Sequence, residues 1–232
     1  MPALLVTGMG CGDPQPRQGD ATPELTSASV SAIVLDGRVG ADEWGVATSI
    51  PEGGDVLTKA HGDRLYLAAR TNVALPVHVY LGRADGSGEE VQVLHASASL
   101  GRTVYRRAVG GEWELADPFA WEVLDPALGS IADSVGLEAE RSAYLARDGW
   151  AANTMFMGSP GEVEFALSRS YIDDFELIAM SYIWLAPDSI EHIRHWPASA
   201  EITPREYDLL MGEGVPADFA LESWMELGRM AR

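Results

Sequence analysis

The stretch that decides the fold lies at residues 34–47, which read VLDGRVGADEWGVA. Aliphatic residues favour a strand over Ser31–Leu35, and the Asp-Gly pair that follows supplies the residues that a reversing turn needs. The spacing of Ala41–Ala47 then predicts one helical turn with Trp44 on its inner face. Because tryptophan is highly buried on average, we expect Trp44 to pack in the core.

Strand-like runs continue at short intervals along the chain. Leu177–Leu185 is almost continuously apolar, which predicts a central strand covered on both faces. No strand-helix alternation is visible, so the pattern predicts an all-β fold, an antiparallel β-sandwich of the jelly-roll or immunoglobulin-like type. The other predicted strands are the hairpin Val56–Arg70, then Val77–Leu81, Val91–Ala96, Thr103–Arg107, Glu112–Leu115, Phe119–Leu124, Arg141–Arg147, Met155–Met157 and Glu162–Leu167.

The C-terminal region changes character after the last predicted strand. Thr203–Glu206 has the N-cap, first-turn proline and glutamate of a capping box, which predicts a helix. Pro216 opens a second run in which Phe219 and Leu227 share a helical face. The predicted organisation is a signal-like segment and flexible tether at residues 1–28, a β-sandwich domain at residues 29–200 and a C-terminal helical extension at residues 201–232.

Three motifs together resemble a known family. They are the Asp-Gly turn followed by Glu43-Trp44, the hairpin at Asp55–Arg70, and the strand Gly161–Leu167. This combination resembles the family 9 carbohydrate-binding modules and the related DOMON-like β-sandwiches, over the region Ser29–Pro187. The resemblance implies a non-catalytic module that binds a saccharide. It covers framework residues only, so it assigns no ligand contact.

The charge of the chain excludes one large class of partner. Asp and Glu number 35 against 16 Lys and Arg, which gives a formal net charge of −19. Such a surface repels phosphate backbones, so we expect no nucleic-acid binding. The chain has a single lysine, Lys59, and its place in a strand beside a turn predicts a solvated edge residue.

The chain has one cysteine, Cys11, so an intrachain disulfide is excluded. Small and apolar residues precede it, and a polar, proline-rich run follows at residues 12–23. This arrangement resembles the tail of a bacterial lipoprotein signal peptide, with Cys11 as the lipidated residue. It predicts a protein of the bacterial cell envelope that meets the membrane only through this anchor. The alternative is an unstructured cytosolic N-terminus with a chance cysteine.

A saccharide site needs exposed aromatic rings flanked by polar side chains. Trp150 is the first choice, because a turn presents it and two polar residues lie close by in sequence. A structural role in the core is the stronger alternative for this ring, as for any tryptophan. The predicted ligand-binding residues are Trp150, Trp113, Trp196, Tyr105, Asp148 and Asn153.

No cofactor is required by any motif, although two acidic runs, Asp85–Glu90 and Asp173-Asp174, have the oxygen atoms that calcium prefers. The DOMON resemblance implies a second alternative, in which haem is bound through methionine and histidine. The candidate haem ligands are Met155, Met157 and Met180 with His78 or His95.

Catalytic signatures are missing from the sequence. There is no Gly-x-Ser-x-Gly nucleophile elbow, and Cys11 has no base beside it. Glu162 and Glu164 share one strand face, but nothing in the sequence gives a reason for a raised pKa. A binding protein is therefore favoured over an enzyme, and a structural or protein-interaction role, with the C-terminal helices docking a partner, is the remaining alternative.

Overall fold

A computed structural model describes residues 33–44, 48–49, 56–71, 76–97, 100–122, 143–154, 161–186, 189–203 and 217–230. All of them belong to one compact unit, residues 31–232. The predicted lipidation residue Cys11 and the candidate haem ligands Met155 and Met157 lie outside the described residues.

The described residues form three antiparallel sheets, which confirms the predicted all-β class. Along the chain the strands are β1 (Thr48–Ser49), β2 (Val56–His61), β3 (Arg64–Thr71), β4 (Val77–Asp85), β5 (Gly88–Ala96), β6 (Leu100–Ala108), β7 (Glu114–Glu122), β8 (Trp150–Thr154), β9 (Gly161–Ser168), β10 (Leu177–Ala186), β11 (Ser189–Trp196), β12 (Ile202–Thr203), β13 (Asp218–Phe219) and β14 (Met225–Glu226). The first sheet has the order β1-β2-β3-β9-β8, and the second has the order β11-β10-β4-β5-β6-β7, with β14 beside β10. The third sheet is the pair β12-β13.

The main hydrophobic core contains apolar side chains from both large sheets, as in a β-sandwich. Strand β10 lies between β4 and β11 and is buried on both faces at Ile178–Ile183, so the predicted central strand is confirmed. The core residues of the first sheet include Leu65, Leu67, Phe165, Leu167 and Trp150, and those of the second include Val79, Leu81, Leu94, Ile178 and Met180.

The segment 33–44 lies against the outer face of the first sheet. Its residues Ile33, Leu35, Val39 and Trp44 are all buried. A strand was predicted over Ser31–Leu35, but residues 33–35 join no sheet. The reason is that side chains bind the backbone here: the Asn153 amide donates to the carbonyl of Leu35 at 2.8 Å. The helical turn is confirmed at Ala41–Trp44.

The outer face of the second sheet has a cover of its own. Residues 200–203 and 217–224, which we call the C-terminal cover, contribute buried apolar side chains to a second core that also contains residues of β4, β5, β6 and β10. Gly82 shows how closely they approach, because a Cβ there would lie 3.1 Å from the side chains of Leu221 and Trp224.

One helix prediction and one strand prediction differ from the structure, and residues 204–206 of the predicted capping box lie outside the described residues. The run predicted to be helical from Pro216 contains β13, β14 and a 3₁₀ turn at Leu221–Ser223, and becomes α-helical only at Leu227–Met230. Pairing of β13 with β12 and of β14 with β10 provides the backbone hydrogen bonds that a helix would otherwise supply. The strand predicted over Arg141–Arg147 is helical at residues 143–148.

Lys59 is buried, so the prediction of a solvated edge residue is wrong. Its ammonium group donates to the carbonyl oxygen of Glu43 in the segment that covers the first sheet. Burial of a charged group is costly unless it finds a partner, and this contact supplies one.

Candidate functional site

Three of the predicted stacking rings lie inside the protein. Trp150 is 0% exposed, and Trp196 and Tyr105 are each 1% exposed. A ring that stacks on a pyranose needs an open face, so none of these rings can do so in this structure. The position of Trp150 fits the stronger alternative, a structural role in the core.

The two polar residues predicted beside Trp150 do not form a site with it. Asn153 is buried on the outer face of the first sheet, where it binds the carbonyl of Leu35, while Trp150 belongs to the main core. Asp148 forms an ion pair with its neighbour Arg147, at 2.5 Å. Adjacent positions in a strand point to opposite faces, which separates Asn153 from the inner residues of β8.

Trp113 and Tyr105 are brought together by the C-terminal cover. Phe219 lies between them, with ring centroids 5.0 Å from Trp113 and 5.1 Å from Tyr105. Trp113 remains partly exposed, and the guanidinium of Arg107 lies 4.6 Å from the centroid of its ring. Of the predicted rings, Trp113 is therefore the one that borders a polar surface.

A cleft of about 420 Å³ lies at the same end of the second sheet, and Arg107 is one of its lining residues. It forms where the β4–β5 hairpin ends and β6 passes alongside. We call it the charged cleft, and its lining residues are Arg83, Asp85, Ser87, Gly88, Glu89, Glu90, Arg106, Arg107 and Ala108.

Strand register pairs the charges of this cleft. Glu90 lies opposite Arg83 on one side and opposite Arg106 on the other. Its carboxylate accepts from Arg83 Nη2 at 2.8 Å and from Arg106 Nε at 2.7 Å. Partial burial alone would raise the pKa of Glu90, but the hydrogen bonds from Arg106 and Arg83 outweigh it and the pKa falls below its usual value.

The rest of the charged cleft is similarly paired. Arg107 Nε donates to Glu89 at 2.5 Å, and Asp85 accepts from the backbone N–H of Ser87 at 2.7 Å. Gly88 closes the turn at φ 154°, where an added Cβ would collide with the carbonyl oxygen of Arg107. The cleft thus presents fixed, planar donors and acceptors with their charges already balanced against each other.

A second polar cluster lies on the outer face of the second sheet. Register places His195, Ser181, His78 and His95 side by side on β11, β10, β4 and β5. Nδ1 of His95 is 2.8 Å from Nε2 of His78, and Nε2 of His95 is 2.9 Å from Oγ of Ser97. We call Ser97, His95, His78, Ser181 and His195 the histidine row.

Burial keeps the histidines of this row neutral at pH 7. It lowers the pKa of His95 to about 4. Burial also lowers the pKa of His78 well below its usual value, and the proximity of His95 adds to the effect. The pKa of His195 is lowered by burial in the same direction. Neutral imidazoles both donate and accept, so the row can carry a directed chain of hydrogen bonds.

The haem alternative loses one of its three candidate methionine ligands. Met180 is in the main core, whereas His78 lies beside Ser181 on the opposite face of the second sheet. Residues on opposite faces cannot bind one iron atom, so Met180 cannot pair with His78 or His95. Within the described ranges, no three acidic, histidine or cysteine side chains are arranged to hold a metal ion.

Glu164 has chemistry that the sequence did not indicate. Its carboxyl accepts from Nε1 of Trp44 at 2.8 Å and from the backbone N–H of Gly37 at 2.9 Å, and its exposure is 0%. Burial raises its pKa to about 8 against the lowering effect of these two bonds, and the charges of Asp36 and Glu43 add to the rise. The raised pKa of Glu164 could not be predicted from its neighbours in the sequence, because the segment 33–44, which covers its carboxyl, is remote from it along the chain.

Comparison with protein-family models, with curated protein sequences and with solved structures finds no match to this chain. The resemblance to family 9 carbohydrate-binding modules therefore stays a prediction. Of the helices that the structure describes, none is long and apolar enough to cross a bilayer.

Proposed function

We propose that this protein is a saccharide-binding β-sandwich whose ligand is held in the charged cleft. The observation that carries the proposal is the Glu90 carboxylate, which bridges the guanidinium groups of Arg83 and Arg106 in a cleft of about 420 Å³. Sugar hydroxyls both donate and accept hydrogen bonds, so they match a surface that offers fixed donors and acceptors side by side.

The charge balance of the cleft favours a ligand rich in hydroxyl groups over a strongly ionic one. Glu90 already neutralises part of the positive charge of the two guanidinium groups that it bridges, and Glu89 is paired with Arg107. A net charge of −19 on the chain repels polyanions. Each guanidinium carries five N–H donors in a plane, and one or two of them are used in these pairs, so donors remain for a hydroxylated ligand.

The proposal predicts that Arg106→Ala weakens saccharide binding by about tenfold or more, because a hydrogen bond to a charged group contributes roughly 1.5–3 kcal/mol. Glu90 keeps its contact with Arg83 in this variant, so the hairpin should stay folded. A glycan array identifies the saccharide, and titration calorimetry of the wild type and the variant measures the loss.

The matched control is Arg229→Ala, which removes an exposed arginine from its ion pair with Glu226 on the C-terminal helical turn. This variant should bind the saccharide as the wild type does. Equal affinity of the Arg106→Ala and Arg229→Ala proteins would exclude the charged cleft as the site. An array with no bound saccharide would remove the carbohydrate proposal altogether.

The location of the protein is a separate proposal that rests on the sequence around Cys11. A lipidated Cys11 would anchor the sandwich to a bacterial membrane through the polar tether that follows it. We expect Cys11→Ser to move the full-length protein from the membrane fraction to the soluble fraction of the expressing cells. Identical fractionation of the two proteins on an immunoblot would contradict the anchor.

A further inference from the structure

The histidine row contains a hydroxyl–imidazole–imidazole relay. Ser97 Oγ contacts His95 Nε2 at 2.9 Å, and His95 Nδ1 contacts His78 Nε2 at 2.8 Å. This is the connectivity of a nucleophile, a base and a third group that orients the base. The two imidazole contacts use different nitrogens of the same ring, so both can be made at once.

Paired strands hold the two imidazoles, and Ser97 lies in the connection that follows β5. His78 and His95 are directly opposed on β4 and β5, and Ser97 follows His95 by two positions. When the proton of His95 is on Nδ1, that N–H donates to Nε2 of His78. The Nε2 lone pair of His95 is then left to accept the hydroxyl of Ser97.

Exposure increases along the relay. His78 is 1% exposed and His95 is 6% exposed, while Ser97 is partly exposed. The orienting end is therefore closed to water, and the hydroxyl is the end that an incoming molecule reaches. Neutral imidazoles at pH 7 are the form that can accept a proton.

We propose that Ser97 is a nucleophile activated by His95, that His78 is the positioning residue for His95, and that the relay reacts with carboxylic acid esters. This activity is independent of saccharide binding in the charged cleft. Ser97 and His95 would be the catalytic residues, since only these two touch the reacting atoms.

In the proposed reaction, Oγ of Ser97 bonds to the ester carbonyl carbon while its proton passes to Nε2 of His95. The bond from that carbon to the alcohol oxygen breaks, and the alcohol leaves with the proton from His95. Water then bonds to the acyl carbon and gives a proton to Nε2 of His95. The bond from that carbon to Oγ of Ser97 breaks, Oγ recovers the proton from His95, and the carboxylic acid leaves. The ester and water are converted to an acid and an alcohol.

The environment of His95 restricts the class of ester. A pKa of about 4 makes this imidazole a weak base. A weak base removes the serine proton only as the new bond to carbon forms, so the substrate needs a reactive carbonyl and a good leaving group. Aryl and other activated esters fit this requirement better than amides.

The test uses a fluorophosphonate probe, which reports nucleophilic serines when Oγ bonds to phosphorus and fluoride leaves. We expect the full-length protein to be labelled on Ser97, as located by peptide mass spectrometry. Ser97→Ala should lose the label. Ser170→Ala is the matched control and should keep it, since the exposed Ser170 contacts the hydroxyl of Ser168 instead of an imidazole.

The role of His78 is tested by two substitutions that differ in hydrogen bonding. His78→Gln keeps an acceptor for the Nδ1–H of His95 and should retain at least a tenth of the labelling rate. His78→Leu removes the acceptor and should lower the rate about a hundredfold. Circular dichroism verifies that both variants fold. Absence of label on Ser97 in the folded wild type, or equal rates in the folded Gln and Leu variants, would overturn the relay.

Discussion

Replacing Trp150 with alanine is expected to lower the free energy of unfolding by about 3–5 kcal/mol, the range for truncation of a large buried aromatic residue. The side chain is fully buried in the main core and meets the ring of Tyr144 edge-on, with centroids 5.4 Å apart. Removing it leaves a cavity that the strands β8 and β9 can close only in part. Urea denaturation followed by circular dichroism measures the loss.

Trp113→Ala is the matched comparison, because it removes the same side chain from a partly exposed position. It should cost clearly less stability than Trp150→Ala. The folded Trp150→Ala protein should also keep its affinity for any saccharide bound in the charged cleft. Equal costs for the two variants would contradict the placement of Trp150 in the main core.

The contribution of Glu164 to the free energy of unfolding is expected to fall as the pH rises from about 4.5 to about 8, and Glu164→Gln is expected to remove that contribution. In the unfolded chain the carboxyl loses its proton near pH 4.5, whereas in the fold it keeps the proton up to about pH 8. Between these values the folded protein binds one more proton, so each unit of rising pH removes up to roughly 1.4 kcal/mol from this one group.

The measurement is the free energy of unfolding in urea at several pH values in this window, for the wild type and the variant. Glutamine cannot titrate, so the difference between the two proteins should change steadily with pH. Glu226→Gln changes an exposed glutamate and serves as the control, which should retain the wild-type slope. Parallel curves for the wild type and Glu164→Gln would contradict the protonated state of Glu164 in the fold.

Local patterns were enough to predict the sandwich. The continuous apolar run in β10 and the turn chemistry between β4 and β5 are signals within a few residues of the elements they specify. Of the segments that cover the outer faces, the helical turn at Ala41–Trp44 was predicted correctly. Residues 33–35 and the run after Pro216 were not, because their structure depends on distant partners. Residues 33–35 are held by Asn153, and the short strands after Pro216 are held by β10 and β12.

Prediction of the candidate sites from the sequence is limited in the same way, by contacts between residues that are distant in the chain. Residue type alone selected Trp150 and Trp196 as stacking rings, but burial depends on the packing of both sheets. The register of the β4–β5 hairpin, counted outward from its turn, pairs Arg83 with Glu90 and His78 with His95. The turn residues between the predicted strands Val77–Leu81 and Val91–Ala96 contain that information, so these two pairs could have been found from the sequence. The contribution of β6 to the charged cleft could not have been found in this way.

Lys59 is an internal reporter of local opening of the sandwich. It is the single lysine of the chain, and it is buried under the segment 33–44 with its ammonium on the carbonyl of Glu43. An amine-reactive reagent can acylate this side chain only after the segment lifts from β2. The rate of acylation at Lys59 therefore measures how often that edge of the sandwich opens, without any engineered label.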